Sequence, residues 1–238
     1  MTSSEEQVIR NKLKMEPRYA MRFVPGRDDL NFSAKRLHEL VTENAVQLRG
    51  WDLPHAHGVE NAQEYVFNAV DWEMHLEFWR LYKSGQFVMS SSFWDIRGEI
   101  QSQLRQQFNF VMASPEQKES VRLVVSFVGM IYSVTEYHLF ASRLAKAIDI
   151  VDFTFELALH NIENIAIVPG ELGVPWSAFY RSAVDEIRLK AASREVVADP
   201  LASSVSALRE IFECFQWDNS EGAIKHWQER FMAGRFAF

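Results

Sequence analysis

The chain has 238 residues, of which 47% are hydrophobic and 24% are charged. These are ordinary values for a globular protein, and they exclude an intrinsically disordered one. The formal net charge is −7, whereas a non-specific nucleic-acid binder usually carries a surplus of basic residues. A chain of this length can bury a large core without disulfides or a structural metal.

The compartment is predicted from the cysteine content and from the N-terminal residues. Cys214 is the only cysteine, so no intrachain disulfide can form and nothing indicates an oxidising compartment. Residues 1–16 are polar and charged and lack the apolar core of a signal peptide. The most apolar run, residues 123–134, is shorter than the ~18–20 residues that cross a bilayer. We therefore expect a cytoplasmic protein that does not bind membranes.

The first part of the chain predicts a short helix, a strand and a second helix. Residues 4–7, Ser-Glu-Glu-Gln, have the form of a capping box, which predicts a helix to about Lys14. Residues 18–24 alternate as a strand does, and Pro25 with the following glycine ends that strand. From Ser33 to about Asn44 the apolar residues recur at helical spacing. Residues 46–49 then predict a short strand.

Residues 65–93 predict an antiparallel hairpin within a three-stranded meander. Apolar and polar residues alternate here with a period of two, which is typical of a half-buried strand. The apolar members are Trp72, Met74, Leu76 and Phe78, and the polar members are Asp71, Glu73, His75 and Glu77. In this interpretation the polar members face solvent. A turn at residues 83–86 and a returning strand from Phe87 complete the hairpin near residues 70–93.

The rest of the chain predicts a long helix, further strands and C-terminal helices. A capping box at Ser114 with a following proline predicts a helix from Pro115 to about Ile148. Residues 151–157, 165–168 and 180–190 predict strands, and helical spacing recurs after Asp199 and after Ser220. The prediction is an α+β protein with an antiparallel sheet packed against a long central helix and C-terminal helices. Residues 1–17 form a helical extension, and residues 18–238 form a single domain.

A segment with two histidines is the first candidate for chemistry. Asp52, His55 and His57, with His75 on the later strand, offer the imidazole and carboxylate ligands that zinc and iron prefer. A metal-dependent hydrolase or nuclease built on these four residues is therefore one alternative function. The spacing lacks the helical zinc pattern of histidines four residues apart. Exposed loop histidines are the favoured interpretation, and we predict no metal and no cofactor.

The carboxylate row on the predicted hairpin is the second candidate. General acid–base catalysis needs ionisable groups whose pKa values are pushed apart. A row of Asp71, Glu73 and Glu77 that faces solvent, with His75 beside it, provides no desolvation to do this. The sequence also lacks a Gly-x-Ser-x-Gly motif and a phosphate-binding glycine loop. We therefore predict no catalytic residue and favour a non-catalytic protein.

Aromatic residues are concentrated between residues 51 and 94, which is typical of a core or of a protein-binding groove. We predict a binding surface formed by Trp51, Pro54, His55, Trp79, Arg80 and Tyr82. Its expected occupant is a protein partner or a second copy of this chain. A further alternative is nucleic-acid or nucleotide binding through the same aromatic residues together with Arg18, Arg22, Arg49 and Arg80.

Three segments of the chain resemble a known family when they are taken together. They are residues 48–55 (Leu-Arg-Gly-Trp-Asp-Leu-Pro-His), residues 77–88 (Glu-Phe-Trp-Arg-Leu-Tyr-Lys-Ser-Gly-Gln-Phe-Val) and residues 211–219 (Ile-Phe-Glu-Cys-Phe-Gln-Trp-Asp-Asn). In this order they resemble an uncharacterised bacterial domain that is often found C-terminal to an Alba-like, Schlafen-type domain assigned to nucleic-acid binding. The resemblance extends over about residues 18–235.

This resemblance implies a bacterial cytoplasmic accessory or sensing module, with stress or phage defence as its setting. The family has no catalytic residue that can be carried over to this chain. We expect the Alba-like domain to be absent here, and its nucleic-acid binding is therefore not carried over either. The prediction from the sequence is a non-catalytic interaction or sensing module.

Overall fold

Alternating apolar residues in well-separated parts of the chain build one large sheet. The computed structural model describes residues 3–72, 75–170 and 176–235. The strands are β1 (Arg18–Pro25), β2 (Glu60–Asn61), β3 (Tyr65–Trp72), β4 (His75–Tyr82), β5 (Phe87–Ser92), β6 (Leu123–Ser126), β7 (Phe153–His160), β8 (Ile165–Val168) and β9 (Glu186–Ala191). Seven of them pair antiparallel in the order β2-β3-β4-β5-β1-β7-β9, while β6 and β8 form a separate parallel pair.

Several helices begin at a residue whose side chain caps them. They are α1 (Ser3–Met15), α2 (Ala34–Asn44), α3 (Gly98–Asn109), α4 (Pro115–Glu119), α5 (Phe127–Ala147), α6 (Ser193–Ala198), α7 (Pro200–Cys214) and α8 (Glu221–Met232). The side chain of Ser33 accepts from a first-turn amide of α2, and Ser114 forms the predicted capping box with Gln117. Asp199 caps α7. The capping box predicted at residues 4–7 lies partly outside the described side chains.

The α+β prediction is confirmed. The strands β3, β4 and β5 form the predicted antiparallel meander, and β1 lies between this meander and β7. The long helix α5 packs against α7 and α8, as the prediction of a central helix with C-terminal helices requires. Within the described ranges, no helix combines the length and the apolar character needed to cross a bilayer.

The burial of the hairpin differs from the prediction. The alternation across residues 71–78 belongs to two strands, because β3 ends at Trp72 and β4 begins at His75. Glu73 and Met74 lie outside the described residues. Both faces of β4 are covered, since Leu76 and Phe78 pack against α1 while Trp79 lies in the main core.

The prediction that the polar row faces solvent is therefore wrong for Glu77, whose exposed fraction is 0%. A period of two separates the two faces of a strand, but it does not show which face is covered.

The predicted helix from Pro115 to Ile148 is also corrected. Only α4 and α5 are helical, and residues 123–126 between them pair with β8 as a short parallel strand. An apolar run that is buried on all sides is compatible with both the helical and the strand periodicity. Its conformation is therefore decided by whether it pairs with another strand. The side chain of Ser126 then caps α5 by accepting from the Gly129 N–H at 3.0 Å. The short strand predicted at residues 46–49 is reduced to a single bridge between Val46 and Leu53.

Candidate functional site

The loop at residues 45–59 forms one side of the candidate site. The backbones of Val46 and Leu53 exchange two hydrogen bonds of 2.9 Å, which closes the residues between them into a loop. Inside this loop the Gln47 side chain donates to Asp52 Oδ1 at 2.7 Å. Trp51 remains 38% exposed, and the Arg49 guanidinium lies 5.1 Å from the centre of its ring. The loop is therefore held by its own hydrogen bonds.

A buried ion pair fixes this loop to α5. The side chains of Arg49 and Glu136 are 4% and 0% exposed and form a two-pronged contact, in which Arg49 Nε lies 3.2 Å from Glu136 Oε1. Burial raises the pKa of Glu136 above its ordinary value, although Arg49 opposes the rise. Removing either partner would leave an uncompensated buried charge, which is strongly destabilising.

The Glu77 carboxylate is hydrogen-bonded to two histidines at the centre of the site. Its Oε1 accepts the His55 backbone N–H at 2.8 Å, and its Oε2 lies 2.9 Å from His55 Nδ1 and 3.2 Å from His75 Nε2. Burial acts to raise the pKa of Glu77, but the hydrogen bonds and charges of the two imidazoles outweigh it and lower that pKa to about 2. Burial acts to lower the pKa of His55, and Glu77 outweighs it, so that this pKa is raised.

The contacts of His55 leave one edge of its ring unused. Because Nδ1 is bonded to Glu77, the remaining polar ring atom is Nε2. This atom is buried and has no hydrogen-bond partner among the residues that the structure describes. A buried polar atom without a partner costs free energy, so such atoms often mark a functional position.

The backbone of His55 is fixed from both sides. Its N–H donates to Glu77, and its carbonyl accepts from Asn68 Nδ2 at 2.9 Å and from Trp79 Nε1 at 3.0 Å. Asn68 also donates to the carbonyl of His57 at 2.8 Å. The His55 ring meets the Trp72 ring edge-on, with 4.7 Å between centroids. The position of the imidazole is thus set by β3 and β4 and not by the exposed end of the loop.

A cavity of about 350 Å³ lies beside this cluster, and we call it the tryptophan cavity. Its apolar wall includes Trp51, Leu53, Trp72, Trp94 and Ile100. Its polar lining includes His55, His75, Ser91, Ser92, Ser133 and Tyr137. Several of these polar groups are already paired, since the hydroxyls of Ser91 and Tyr137 bond to each other and Ser92 Oγ accepts the Leu76 N–H at 3.0 Å.

The structure does not bring the six predicted binding residues into one surface. Trp79 is 0% exposed and Pro54 is also buried. Arg80 and Tyr82 lie on the opposite face of β4 from Trp79, because alternate residues of a strand face opposite sides. There Arg80 pairs with Glu6 of α1. Of the six residues, Trp51 and His55 line the tryptophan cavity.

The predicted metal ligands are likewise separated. His57 and Asp52 form a pair of their own at 3.7 Å, in which the His57 side chain is 99% exposed. The ligand atoms of His55, His75 and Glu77, in contrast, all lie within 4.8 Å of one another. The structure thus keeps two of the four predicted ligands and replaces the other two by Glu77.

The four arginines predicted for nucleic-acid binding do not all lie on one open surface, because Arg49 is buried. Arg49 and Arg80 are each paired with a glutamate, Glu136 and Glu6 respectively. Arg18 donates to backbone carbonyls at the end of α1, the closer of them 3.2 Å away. Arg22 is exposed on β1. Phosphate binding requires cationic groups that are free to neutralise a backbone charge, and here two of the four are committed to glutamates.

Comparison with known proteins does not assign a family to this chain. No family model, no curated protein and no solved structure matches it. The resemblance of residues 48–55, 77–88 and 211–219 to a bacterial accessory domain stays a prediction. The function must therefore be inferred from the site itself.

Proposed function

We propose that this protein is a non-catalytic binding module whose ligand is a small molecule held in the tryptophan cavity. One observation carries the proposal: the apolar cavity of about 350 Å³ is lined by His55, whose buried Nε2 has no partner in the described part of the chain. Small-molecule sites are typically apolar cavities of ~300–1,000 Å³ with a few fixed polar groups. The tryptophan cavity has both features.

The lining defines the chemistry of the ligand. Three indole rings, those of Trp51, Trp72 and Trp94, favour a flat aromatic molecule, because aromatic rings gain from edge and face contacts beyond their buried area. The charged groups of the lining are already balanced. Arg49 pairs with Glu136, and the two histidines contact Glu77. A neutral organic ligand with one hydrogen-bonding group therefore fits the cavity better than a charged organic ligand.

The hydrogen-bonding group of the ligand would meet His55. An unpaired buried polar atom costs about 1–3 kcal/mol, and a ligand that bonds to Nε2 removes this cost. Because the His55 backbone is held by Glu77, Asn68 and Trp79, the ring does not have to be ordered when the ligand binds. Such preorganisation increases affinity.

A sensing role follows from this proposal. Trp51 lines the tryptophan cavity and is 38% exposed. A ligand in the cavity can therefore change the surface that the protein presents to a partner. The receiver would be a protein partner or a second copy of this chain, and the setting would be a bacterial cytoplasmic system. The partner and the setting stay predictions from the sequence.

The experiment is a calorimetric titration of the full chain in EDTA with indole and with indole-3-carboxylate, carried out at alkaline pH. The neutral His55 ring then donates from Nδ1 to Glu77 and offers Nε2 as an acceptor to the indole N–H. We expect indole to bind with a Kd on the order of 10–100 µM, which corresponds to about 0.6–0.8 kcal/mol per heavy atom and lies within the range of about 0.3–1.5 kcal/mol seen for small ligands. The carboxylate should bind at least about tenfold more weakly, because the cavity lining that the structure describes offers no free cation to balance it.

A matched pair of variants identifies the site. His55→Phe keeps the ring and removes Nε2, and it should weaken the binding of indole about tenfold. His138→Phe is the control, because His138 is also fully buried with an unpartnered Nε2 in the described part of the chain, but it lies outside the tryptophan cavity. Equal affinities in both variants and the unsubstituted chain, or no binding of either compound, would contradict the proposal.

A further inference from the structure

We propose that His55, His75 and Glu77 form a binding site for one divalent first-row transition-metal ion. The site shares a wall with the tryptophan cavity, but it goes beyond the proposed function because it requires no organic ligand. His75 and Glu77 stand two residues apart on β4 and therefore face the same side of the strand. His55 reaches them from the loop, where Asn68 and Trp79 hold its carbonyl.

Two of the three distances are close to those between donors on a single ion. Glu77 Oε2 lies 2.9 Å from His55 Nδ1 and 3.2 Å from His75 Nε2. Donors that bind one zinc ion at 2.0–2.2 Å stand about 3.0–3.5 Å apart. All three ligand atoms lie within 4.8 Å of one another, so the separation of the two imidazole nitrogens has to close by less than about 2 Å.

The donor set selects the class of metal. Two imidazole nitrogens and one carboxylate oxygen suit zinc and iron, whereas magnesium and calcium prefer oxygen ligands alone. Three protein donors also leave an open position on the ion, as catalytic zinc and non-haem iron sites do. The tryptophan cavity lies beside this cluster, so a molecule in the cavity could fill that position.

The surroundings of the cluster also support a metal site. The two imidazoles converge on a single oxygen of a carboxylate that is 0% exposed. An ion placed there occupies the region that ring protons occupy in the hydrogen-bonded form. The other oxygen of Glu77 accepts the His55 backbone N–H at 2.8 Å, and such outer hydrogen bonds orient metal ligands.

The chain contains a matched example of an ordinary histidine–glutamate pair. His160 Nδ1 lies 3.0 Å from Glu186 Oε2, and the His160 side chain is 15% exposed, compared with 18% for His75. The described residues form no three-member cluster at His160. If hydrogen bonding alone explained the central cluster, the substitution of either histidine would have the same effect on metal binding.

The experiment is a titration of the EDTA-stripped and dialysed full chain with Zn²⁺, with Mg²⁺ as the control ion. We expect one Zn²⁺ per chain with a Kd of about 1 µM or tighter and no measurable binding of Mg²⁺. His75→Gln should weaken the binding of Zn²⁺ at least about 100-fold, while His160→Gln should leave it unchanged. Co²⁺ added to the unsubstituted chain should give d–d absorption bands of a site with nitrogen and oxygen ligands, a readout that needs no variant.

Three results would overturn the metal site. They are the absence of a one-to-one Zn²⁺ complex, an affinity that is the same in His75→Gln, and an equal loss in His160→Gln. The titration of indole in EDTA contains no free metal, so it tests the proposed function separately. Binding of Zn²⁺ without binding of indole would contradict only the small-molecule proposal, and the reverse result would contradict only the metal site.

Discussion

Asp95 is a buried acid that should make the stability of the fold depend on pH. It is 2% exposed, and its Oδ2 accepts the Ser126 backbone N–H at 2.6 Å just before α5. Burial raises the pKa of Asp95 from 3.8 to about 7, against the opposing effects of its backbone hydrogen bonds and Arg49. A carboxyl whose folded pKa is raised stabilises the fold below its unfolded pKa, and this contribution is lost as pH rises through the folded pKa.

The substitution Asp95→Asn removes this titration and keeps an acceptor for the Ser126 N–H. We expect the free energy of unfolding of the unsubstituted chain, relative to Asp95→Asn, to fall by about 2–4 kcal/mol between pH 4 and pH 8. Urea unfolding at pH 4, 6 and 8 measures it. Parallel pH profiles for the two chains would show that Asp95 does not titrate in this range.

At the level of single residues, the sequence identified part of the site. His55 and Trp51 were predicted because a histidine motif and a tryptophan are visible without a structure. Glu77 was predicted to face solvent. Alternation shows which residues share a face of a strand, but it does not show whether other elements pack on that face. Glu136 was not identified, although it is the single acid of a long and mostly apolar helix, a position that indicates a buried partner. That partner, Arg49, is 87 residues away in sequence, and such pairings need the tertiary fold.

At the level of elements, the approach of Trp94 to α5 shapes the tryptophan cavity. A Cβ atom at Gly129 would lie 2.6 Å from Trp94 Nε1, which is closer than real Cβ atoms come to their neighbours. Trp94 therefore depends on a glycine at this helical position.

Two glycine substitutions in helices test this packing. Gly129→Ala should lower the free energy of unfolding by about 1–3 kcal/mol because the added methyl group overpacks against Trp94. Gly222→Ala in α8 has nothing within 4 Å of its new methyl group, and it should raise stability by up to about 1 kcal/mol. Urea unfolding monitored by tryptophan fluorescence measures both. If the two alanines changed stability in the same direction, the close approach at Gly129 would be in doubt.

Elements with local signals were predictable from the sequence. The capping residues Ser33, Ser114 and Asp199 directly precede the helices that they cap. The alternation of residues 151–157 overlaps the strand β7. Residues 123–126 were assigned to a helix because an apolar run carries no periodicity when it is buried all round. Its strand conformation depends on pairing with residues 165–168, which is a long-range contact.

At the scale of the whole molecule, α1 covers one side of the meander. Ile9 and Leu13 pack with Phe67, Leu76 and Phe78 on the face of the sheet opposite to Trp79. Residues 1–17 were predicted as a helical extension, and the described part of this segment contributes directly to the packing of β3 and β4. The cover that α1 provides explains why β4 is buried on both faces.

A pair of alanine substitutions in α1 tests this cover. Leu13 is 2% exposed and Val8 is 49% exposed. Leu13→Ala should lower the free energy of unfolding by about 2–4 kcal/mol, because it removes buried methyl groups and leaves a cavity. Val8→Ala should change it by less than about 0.5 kcal/mol. Thermal and urea unfolding of both variants provide the measurement, and a stable Leu13→Ala chain would show that α1 is not part of the core.

The most direct test of the small-molecule site is the ¹⁵N spectrum of histidine-labelled protein in EDTA as indole is added. If indole bonds to the unpartnered ring atom of His55, the Nε2 resonance of His55 shifts and saturates, while those of His138 and His160 stay in place. A His55 resonance that does not move at millimolar indole, or resonances of all three histidines that move together, would contradict a specific ligand in the tryptophan cavity.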